Sequence, residues 1–247
     1  MPRCFLALGG NLGAVEQTFD RALASLDAQP ELNIGSVSKV HRFPAVGRQA
    51  GADFCNAAAE LNTELPPLHL LERLQSAEAM FGRRRDVPWG PRTLDLDLIL
   101  YGSSVVDEQH LQVPHPACWY RRFVLDPLVE IASEAVHPEK YLSFAALRAR
   151  LLVQPFRVAL AGADCAARMR EIAELERGFP QVEICDWTTD AAHPEPTLLF
   201  WLGPLQESGL PPAEFHSLPR GPRLDASSAG ADRSHFLADV VQSALGK

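Results

Sequence analysis

The sequence predicts an α+β fold for residues 1 to about 153 and a small α/β layer domain for residues 156–247. Three observations carry that division. WGPRTLDLDLILY, from Trp89 to Tyr101, alternates by twos in its second half and reads as a half-buried strand. Between Pro66 and Gly82 the apolar residues recur at helical spacing, bounded by proline at one end and glycine at the other. QPFRVALAG, from Gln154, opens a new strand where a helical pattern ending near Leu151 gives out, so the boundary falls near Val153.

RCFLAL, from Arg3 to Leu8, reads as a buried strand entering a turn at Gly9, Gly10 and Asn11. Val15, Phe19, Ala22, Leu23 and Leu26 then mark a helix. A strand, glycine turn and helix N-terminus can bind anions, but without G-x-G-x-x-G or G-K-[ST] a plain structural turn is favoured. Residues 33–42 read as a second strand, followed by the loop FPAVG from Phe43 to Gly47. In DFCNAAAELNTEL, Phe54, Asn56 and Ala58 fall on one face and Cys55, Ala57 and Ala59 on the other. A ring and an amide on one face suit the plane and edge of a heterocycle, although Phe in a core with Asn at a sheet end is the commoner arrangement. Pro66 and Pro67 open the next helix, which carries Leu68, Leu71, Leu74, Ala77 and Phe81 along one side.

The alternation in DLDLILY puts Asp95 and Asp97 on one face and Leu94, Leu96 and Leu98 on the other. Residues two apart in an extended chain are separated by roughly 6.6 Å, which lets both carboxylates reach metal ions between them. Magnesium suits such a pair, because it takes hard oxygen ligands and no His or Cys adjoins to favour zinc. Arg83, Arg84, Arg85 and Arg92 cluster around the loop leading into this strand, and arginine's fork of donors fits phosphate oxygens. Downstream, VPHPACWYRRF brings His115, Arg121, Arg122 and Phe123 close together, with His115 expected in an extended segment between prolines.

Beyond Val153 the pattern gives a strand at Arg157–Ala161, a helix at Cys165–Arg177, strands at Val182–Trp187 and Thr197–Leu202, and a final helix from about Asp232 to Leu245. Gly162 is followed by Ala163, Asp164 and Cys165, so the phosphate cradle of a P-loop is missing. The late R-L-D-A-S faintly resembles the end of nucleoside kinases. The segment reads as an accessory domain, either a degenerate nucleotide-kinase-like layer or an oligomerisation module.

A formal net charge of -8 argues against generic nucleic-acid binding, which needs a basic surface. The 5 cysteines show no C-x-x-C pair or zinc-type spacing, and an odd count suits reduced thiols. MPRCFLALGG lacks the length and cleavage pattern of a signal peptide, and no apolar run is long enough for a membrane helix. The expectation is a cytoplasmic protein with no nucleic-acid or membrane partner.

The run W-G-P-R-T-L-D-L-D, with the GGN turn, F-P-x-V-G, F-x-N, G-R-x-R, V-P-H-P and R-x-F-V-L in order, makes residues 1 to about 153 resemble the 6-hydroxymethyl-7,8-dihydropterin pyrophosphokinase family of folate biosynthesis. The resemblance implies a ferredoxin-like sandwich with an antiparallel sheet. It implies transfer of the pyrophosphoryl group of ATP to the hydroxymethyl of the pterin, with release of AMP. It places a pair of Mg ions on Asp95 and Asp97, and Phe54 and Phe123 on the two faces of the pterin. Asn56 would read the pterin edge, with Phe43, Pro44 and Val46 of the F-P-x-V-G loop beside it. Arg83, Arg85, Arg92, His115 and Arg121 would surround the nucleotide phosphates, with Arg83, Arg92, Asp95 and Asp97 as the catalytic group. Glu78 also matches, without an assigned role, and no side chain is assigned as general base. Three departures stand out: Gly10 where the family has Ser, Phe54 where Tyr is frequent, and Pro88 where some members carry Arg in a loop one residue longer. Two other readings compete. A ligand-sensing module would use Phe54 and Phe123 but leave the aspartates and arginines without a purpose. An Asp-x-Asp glycosyltransferase would need a nucleotide-binding α/β layout before the motif.

Overall fold

The computed structural model describes residues 1–46, 51–83, 91–162, 164–187, 194–204 and 212–246. They form two compact units, one spanning Met1–Arg148 and the other Ala149–Leu245, with the division inside a helix at Phe144–Leu151.

In the first unit the elements run β1 (Arg3–Gly10), α1 (Val15–Asp27), β2 (Leu32–Val37), β3 (His41–Phe43), β4 (Phe54–Thr63), α2 (Pro67–Met80) and β5 (Asp95–Tyr101). The main strands lie in the order β2-β4-β1-β5, with β3 added to β4, and every pairing is antiparallel. That interleaving of two split β-α-β units is the ferredoxin-like arrangement. One face of the sheet presents Cys4, Leu6 and Leu8 of β1, Cys55, Ala57, Ala59 and Leu61 of β4, and Leu96 and Leu98 of β5 to Phe19, Leu23 and Leu26 of α1 and Leu70 and Leu74 of α2. Burying these side chains drives the sheet and two helices together.

The opposite face is covered by α3 (Arg122–Ala132), which packs on β3 and β4. Its first turn is fixed by Asp126, which is buried and bonded by Arg122 at 2.6 Å and by Arg148 at 2.7 Å. A hairpin of β6 (Val106–Glu108) and β7 (Leu111–Val113) adjoins β5, and a short hairpin of β8 (Val136–His137) and β9 (Leu142–Ser143) precedes α4 (Phe144–Leu151).

Two sequence expectations need correction. The strand expected over 33–42 breaks between β2 and β3, because side chains take over the ladder: Ser38 Oγ accepts the Ala58 N–H at 2.8 Å and Glu130 accepts the Lys39 N–H at 2.9 Å. On α2 the buried residues are Leu70, Leu74, Ala77 and Glu78, whereas Leu68 is 39% exposed. Leu74 and Ala77 of the expected stripe are buried and Leu71 and Phe81 pack against the same core, so the buried face is the expected one with Leu70 in place of Leu68 and Glu78 added.

The second unit is a parallel sheet in the order β11-β10-β12-β13, formed by β10 (Arg157–Ala161), β11 (Glu183–Asp186), β12 (Leu198–Trp201) and β13 (Arg223–Asp225). α5 (Cys165–Gly178) is capped by Asp164, whose carboxylate accepts the Ala167 N–H at 2.8 Å, and packs with α7 (Arg233–Leu245). A short α6 (Ala213–Ser217) and β13 escaped the sequence reading, since neither is long enough to show a period. Gly162 has φ +70°, and a Cβ there would come within 2.9 Å of the Trp201 ring, so the turn after β10 is packed by an indole. No helix among the described residues is long and apolar enough to cross a membrane.

Candidate active site

Strand register brings the chemistry-bearing residues to one end of the α3 face. Gly9 pairs with Asn56 on one side and with Asp95 on the other, so these three form a row across β4, β1 and β5. The next row is Ala58, Ala7 and Asp97. Opposed residues share a face, so Asn56, Asp95 and Asp97 all look toward the same space, as the alternation in each strand predicted. The residues between them are small. A Cβ at Gly9 would lie 3.6 Å from both Asn56 Oδ1 and Asp95 Cβ, filling the gap between amide and carboxylate.

Asp95 is held by two guanidinium groups. Arg83 Nη1 lies 2.7 Å from its Oδ1, and Arg92 Nη1 bonds its Oδ2. Arg83 also pairs with Glu78, which is 3% exposed. Glu78 Oε1 in turn accepts the Leu96 N–H at 2.7 Å. The carboxylate therefore occupies the open edge of β5 at the residue between the two aspartates. Burial raises the Glu78 carboxyl above its ordinary value, against the pull of the Leu96 N–H and Arg83.

Asp97 has a different setting. Desolvation and then the Asp95 charge push its carboxyl up to about 7. Its side chain keeps 42% of its surface, which lines a cleft of about 590 Å³ together with Leu71, Leu98, Leu111, Gln112 and His115. His115 Nε2 stands 4.0 Å from Asp97 Oδ2. Its Nδ1 accepts the Ala117 N–H at 3.1 Å, which assigns the proton to Nε2 and makes the ring a donor toward the cleft. Desolvation and the nearby Arg121 lower His115 to about 4, so it is neutral at physiological pH. The segment around it turns, with Cys118 N–H on the His115 carbonyl at 3.0 Å, where an extended run was expected.

The aromatic side of the site is built from β3, β4 and the start of α3. Phe54 and Phe123 are half-buried, and each has a guanidinium near its ring: Arg92 at 6.0 Å from the Phe54 centroid and Arg121 at 5.5 Å from that of Phe123. Phe43 is buried and meets Phe123 edge-on at 6.4 Å, so it backs the Phe123 ring. Pro44 is exposed and Val46 half-buried at the start of the following loop. Asn56 is 6% exposed, with its Nδ2 at 3.4 Å from the Phe54 carbonyl. Arg84, Arg85, Pro88 and Trp89 lie outside the described residues.

With this geometry in place, the comparison with known proteins is direct. Residues 5–133 match the sequence model of 7,8-dihydro-6-hydroxymethylpterin-pyrophosphokinase. The chain belongs to this family. The 2-amino-4-hydroxy-6-hydroxymethyldihydropteridine pyrophosphokinase of Bacillus subtilis is 40% identical over 130 residues, covering 53% of this chain and 78% of that one. The Haemophilus influenzae protein of the same name is 37% identical over 142 residues, covering 58% and 89%. The one from Pseudomonas aeruginosa is 39% identical over 137 residues, covering 56% and 85%.

Three features of this pyrophosphokinase-family site were given no role by the sequence. The β6-β7 hairpin walls the cleft beside Asp97, and its signal was only the short alternation V-V-D-E-Q-H-L-Q-V. Glu78 was noticed without a role, because its partner Leu96 N–H is a backbone group. Asn11 bonds residues of two loops, a function no local pattern reveals.

Proposed function

We infer that this chain transfers the pyrophosphoryl group of ATP to the hydroxymethyl oxygen of 6-hydroxymethyl-7,8-dihydropterin and releases AMP, a step of folate biosynthesis. Family membership over residues 5–133 supports the reaction. The observation that carries it is the row Asn56, Gly9, Asp95, which sets a heterocycle-reading amide about 10 Å, or two strand spacings, from a carboxylate flanked by arginines.

In this reading the pterin lies between Phe54 and Phe123 with its edge on Asn56, beside Phe43, Pro44 and Val46. ATP lies in the cleft beside Asp97, whose volume of about 590 Å³ falls in the ordinary range for small-molecule sites. Arg83, Arg85, Arg92, His115 and Arg121 contact its phosphates. The pterin hydroxyl oxygen bonds to the β-phosphorus, the bond from that phosphorus to the α,β-bridging oxygen breaks, and the hydroxyl proton passes to solvent. Arg83 and Arg92 neutralise the transferring group, and the sheet holds the acceptor in line, so the protein contributes positioning and electrostatics rather than a covalent step. His115 serves as a donor, since its Nδ1 lone pair is already engaged by Ala117.

Asp95 and Asp97 would hold two Mg ions. They fit: both are hard oxygen donors on one strand face, in register with neighbours no larger than glycine and alanine on the adjacent strand. Bound there, Mg would offset phosphate charge as a Lewis acid. The reading places the protein in the cytoplasm. Residues 156–247 would form an accessory α/β domain without a step in the transfer; a chain ending at Val153 that folds yet makes no AMP would contradict that. Incubation of the full chain with ATP, Mg and the pterin tests the reaction itself, and ADP in place of AMP would exclude it.

A further inference from the structure

We propose that Asn11 is a positioning residue, which uses one side-chain amide to fix the segment leading into β4, where the pterin-facing Phe54 begins the strand, against the segment before β5 that carries the phosphate-facing Arg92. The proposal rests on the pyrophosphoryl-transfer reading for the roles of those two segments. Asn11 follows directly on β1. Its Nδ2 donates to the Ala52 carbonyl at 2.9 Å, and its Oδ1 accepts the Arg92 N–H at 2.9 Å. Its own backbone N–H donates to the Arg92 carbonyl at 2.9 Å, and the Leu12 N–H reaches the same oxygen at 3.2 Å. Thr93 Oγ1 donates to the Phe81 carbonyl at 2.9 Å, tying the far side of the second segment to the end of α2.

The amide orientation follows from its partners. With oxygen and nitrogen exchanged, a carbonyl would face the Ala52 carbonyl and an NH₂ would face the Arg92 N–H. A side chain of this length offering one acceptor and one donor is therefore required, and aspartate offers only acceptors. The turn is also close: a Cβ on Gly10 would lie 2.8 Å from the Thr93 carbonyl oxygen, so the chain just before Asn11 passes in contact with the second segment. Arg92 pairs with Asp95 and lies 6.0 Å from the Phe54 ring, so a shift of its backbone moves the guanidinium relative to both. One amide thus registers the acceptor platform against the charge that neutralises the donor.

Asn11→Asp and Asn11→Ala separate the two bonds. Aspartate keeps an acceptor for Arg92 but loses the bond to Ala52, whereas alanine loses both. For the full chain, Asn11→Asp should raise the pterin KM by roughly three- to tenfold, the value of one hydrogen bond, with the ATP KM within about twofold and kcat near wild type. Asn11→Ala should in addition lower kcat. Parallel rises in both KM values for Asn11→Asp, or identical kinetics for the two variants, would overturn the proposal. If Asn11→Ala fails to fold, the isosteric Asn11→Asp decides alone. Hydrogen exchange gives a readout independent of turnover: the Arg92 amide should stay protected in wild type and Asn11→Asp and lose protection in Asn11→Ala. Protection surviving in Asn11→Ala overturns the clip even if wild type makes no AMP, an outcome that would count against the reaction instead.

Discussion

Arg83 Nη1 stands 2.7 Å from Asp95 Oδ1, so a cation suited to phosphate rests on a carboxylate suited to metal. Arg92 holds the other oxygen of the same group. A metal–polyphosphate bound here would meet a carboxylate able to hold the metal and two guanidinium groups able to hold phosphate, already side by side. Among the described residues Asp97 has no arginine within ion-pair distance; His115, neutral at physiological pH, stands 4.0 Å away, and Arg121 and Arg83 act on it from farther off.

This asymmetry predicts that Asp95→Asn and Asp97→Asn each reduce turnover by about a hundredfold or more, the scale seen when a preorganised charge is removed. They should differ in stability. Asp95→Asn takes one anionic partner from both Arg83 and Arg92 and lowers Tm, whereas Asp97→Asn removes a repelled charge and leaves Tm unchanged or higher. Near-normal Mg-dependent rates in either variant would sink the metal assignment.

Phe54→Ala and Phe123→Ala should weaken pterin binding by about tenfold, taking stacking at 0.5–1.5 kcal/mol plus lost burial. ATP binding should fall less, and more for Phe123→Ala, whose ring supports Arg121. Titration calorimetry with each ligand separates the two. Equal losses for pterin and ATP in both variants would count against a pterin sandwich.

Much of this was legible because side-chain alternation in a strand is a local property. The faces of β4 and β5 follow from Phe54, Asn56, Asp95 and Asp97 alone, and once antiparallel neighbours are in register those residues must meet. Which rows meet is not local. That Asn56 and Asp95 flank Gly9 depends on pairing across three strands, and that Glu78 serves Leu96 depends on how α2 seats on the sheet. The break between β2 and β3 was hidden for the same reason: the Glu130 carboxylate that takes the Lys39 N–H comes from α3.

Glu78 links β5 to Arg83, and its substitutions should separate those duties. Glu78→Gln can still accept the Leu96 N–H but loses the charge facing Arg83, so it should lower kcat with little change in stability. Glu78→Leu leaves the buried N–H unmet, at about 1–3 kcal/mol of unfolding free energy. Denaturant unfolding that fails to distinguish the two would show that the bond to Leu96 contributes nothing.

His137 predicts an acid-side instability. It is 2% exposed, its Nδ1 accepts the Glu139 and Lys140 N–H groups, and burial lowers it to about 4. A histidine depressed on folding is protonated first in the unfolded chain, so its contribution is complete above about pH 6.5 and is lost as pH falls toward 4. The drop amounts to roughly 3 kcal/mol at 1.36 kcal/mol per unit. His137→Asn keeps an acceptor without titrating, and should show a shallower loss of stability between pH 6.5 and 4 than wild type. Equal slopes would contradict the assignment.

Product identity tests the central claim. With the purified full chain, Mg, ATP and 6-hydroxymethyl-7,8-dihydropterin, mass spectrometry and nucleotide chromatography should find one AMP formed for each pterin diphosphate, and neither product with Asp97→Asn. ADP with a pterin monophosphate, or ATP consumption that does not depend on the pterin, would contradict pyrophosphoryl transfer by this site.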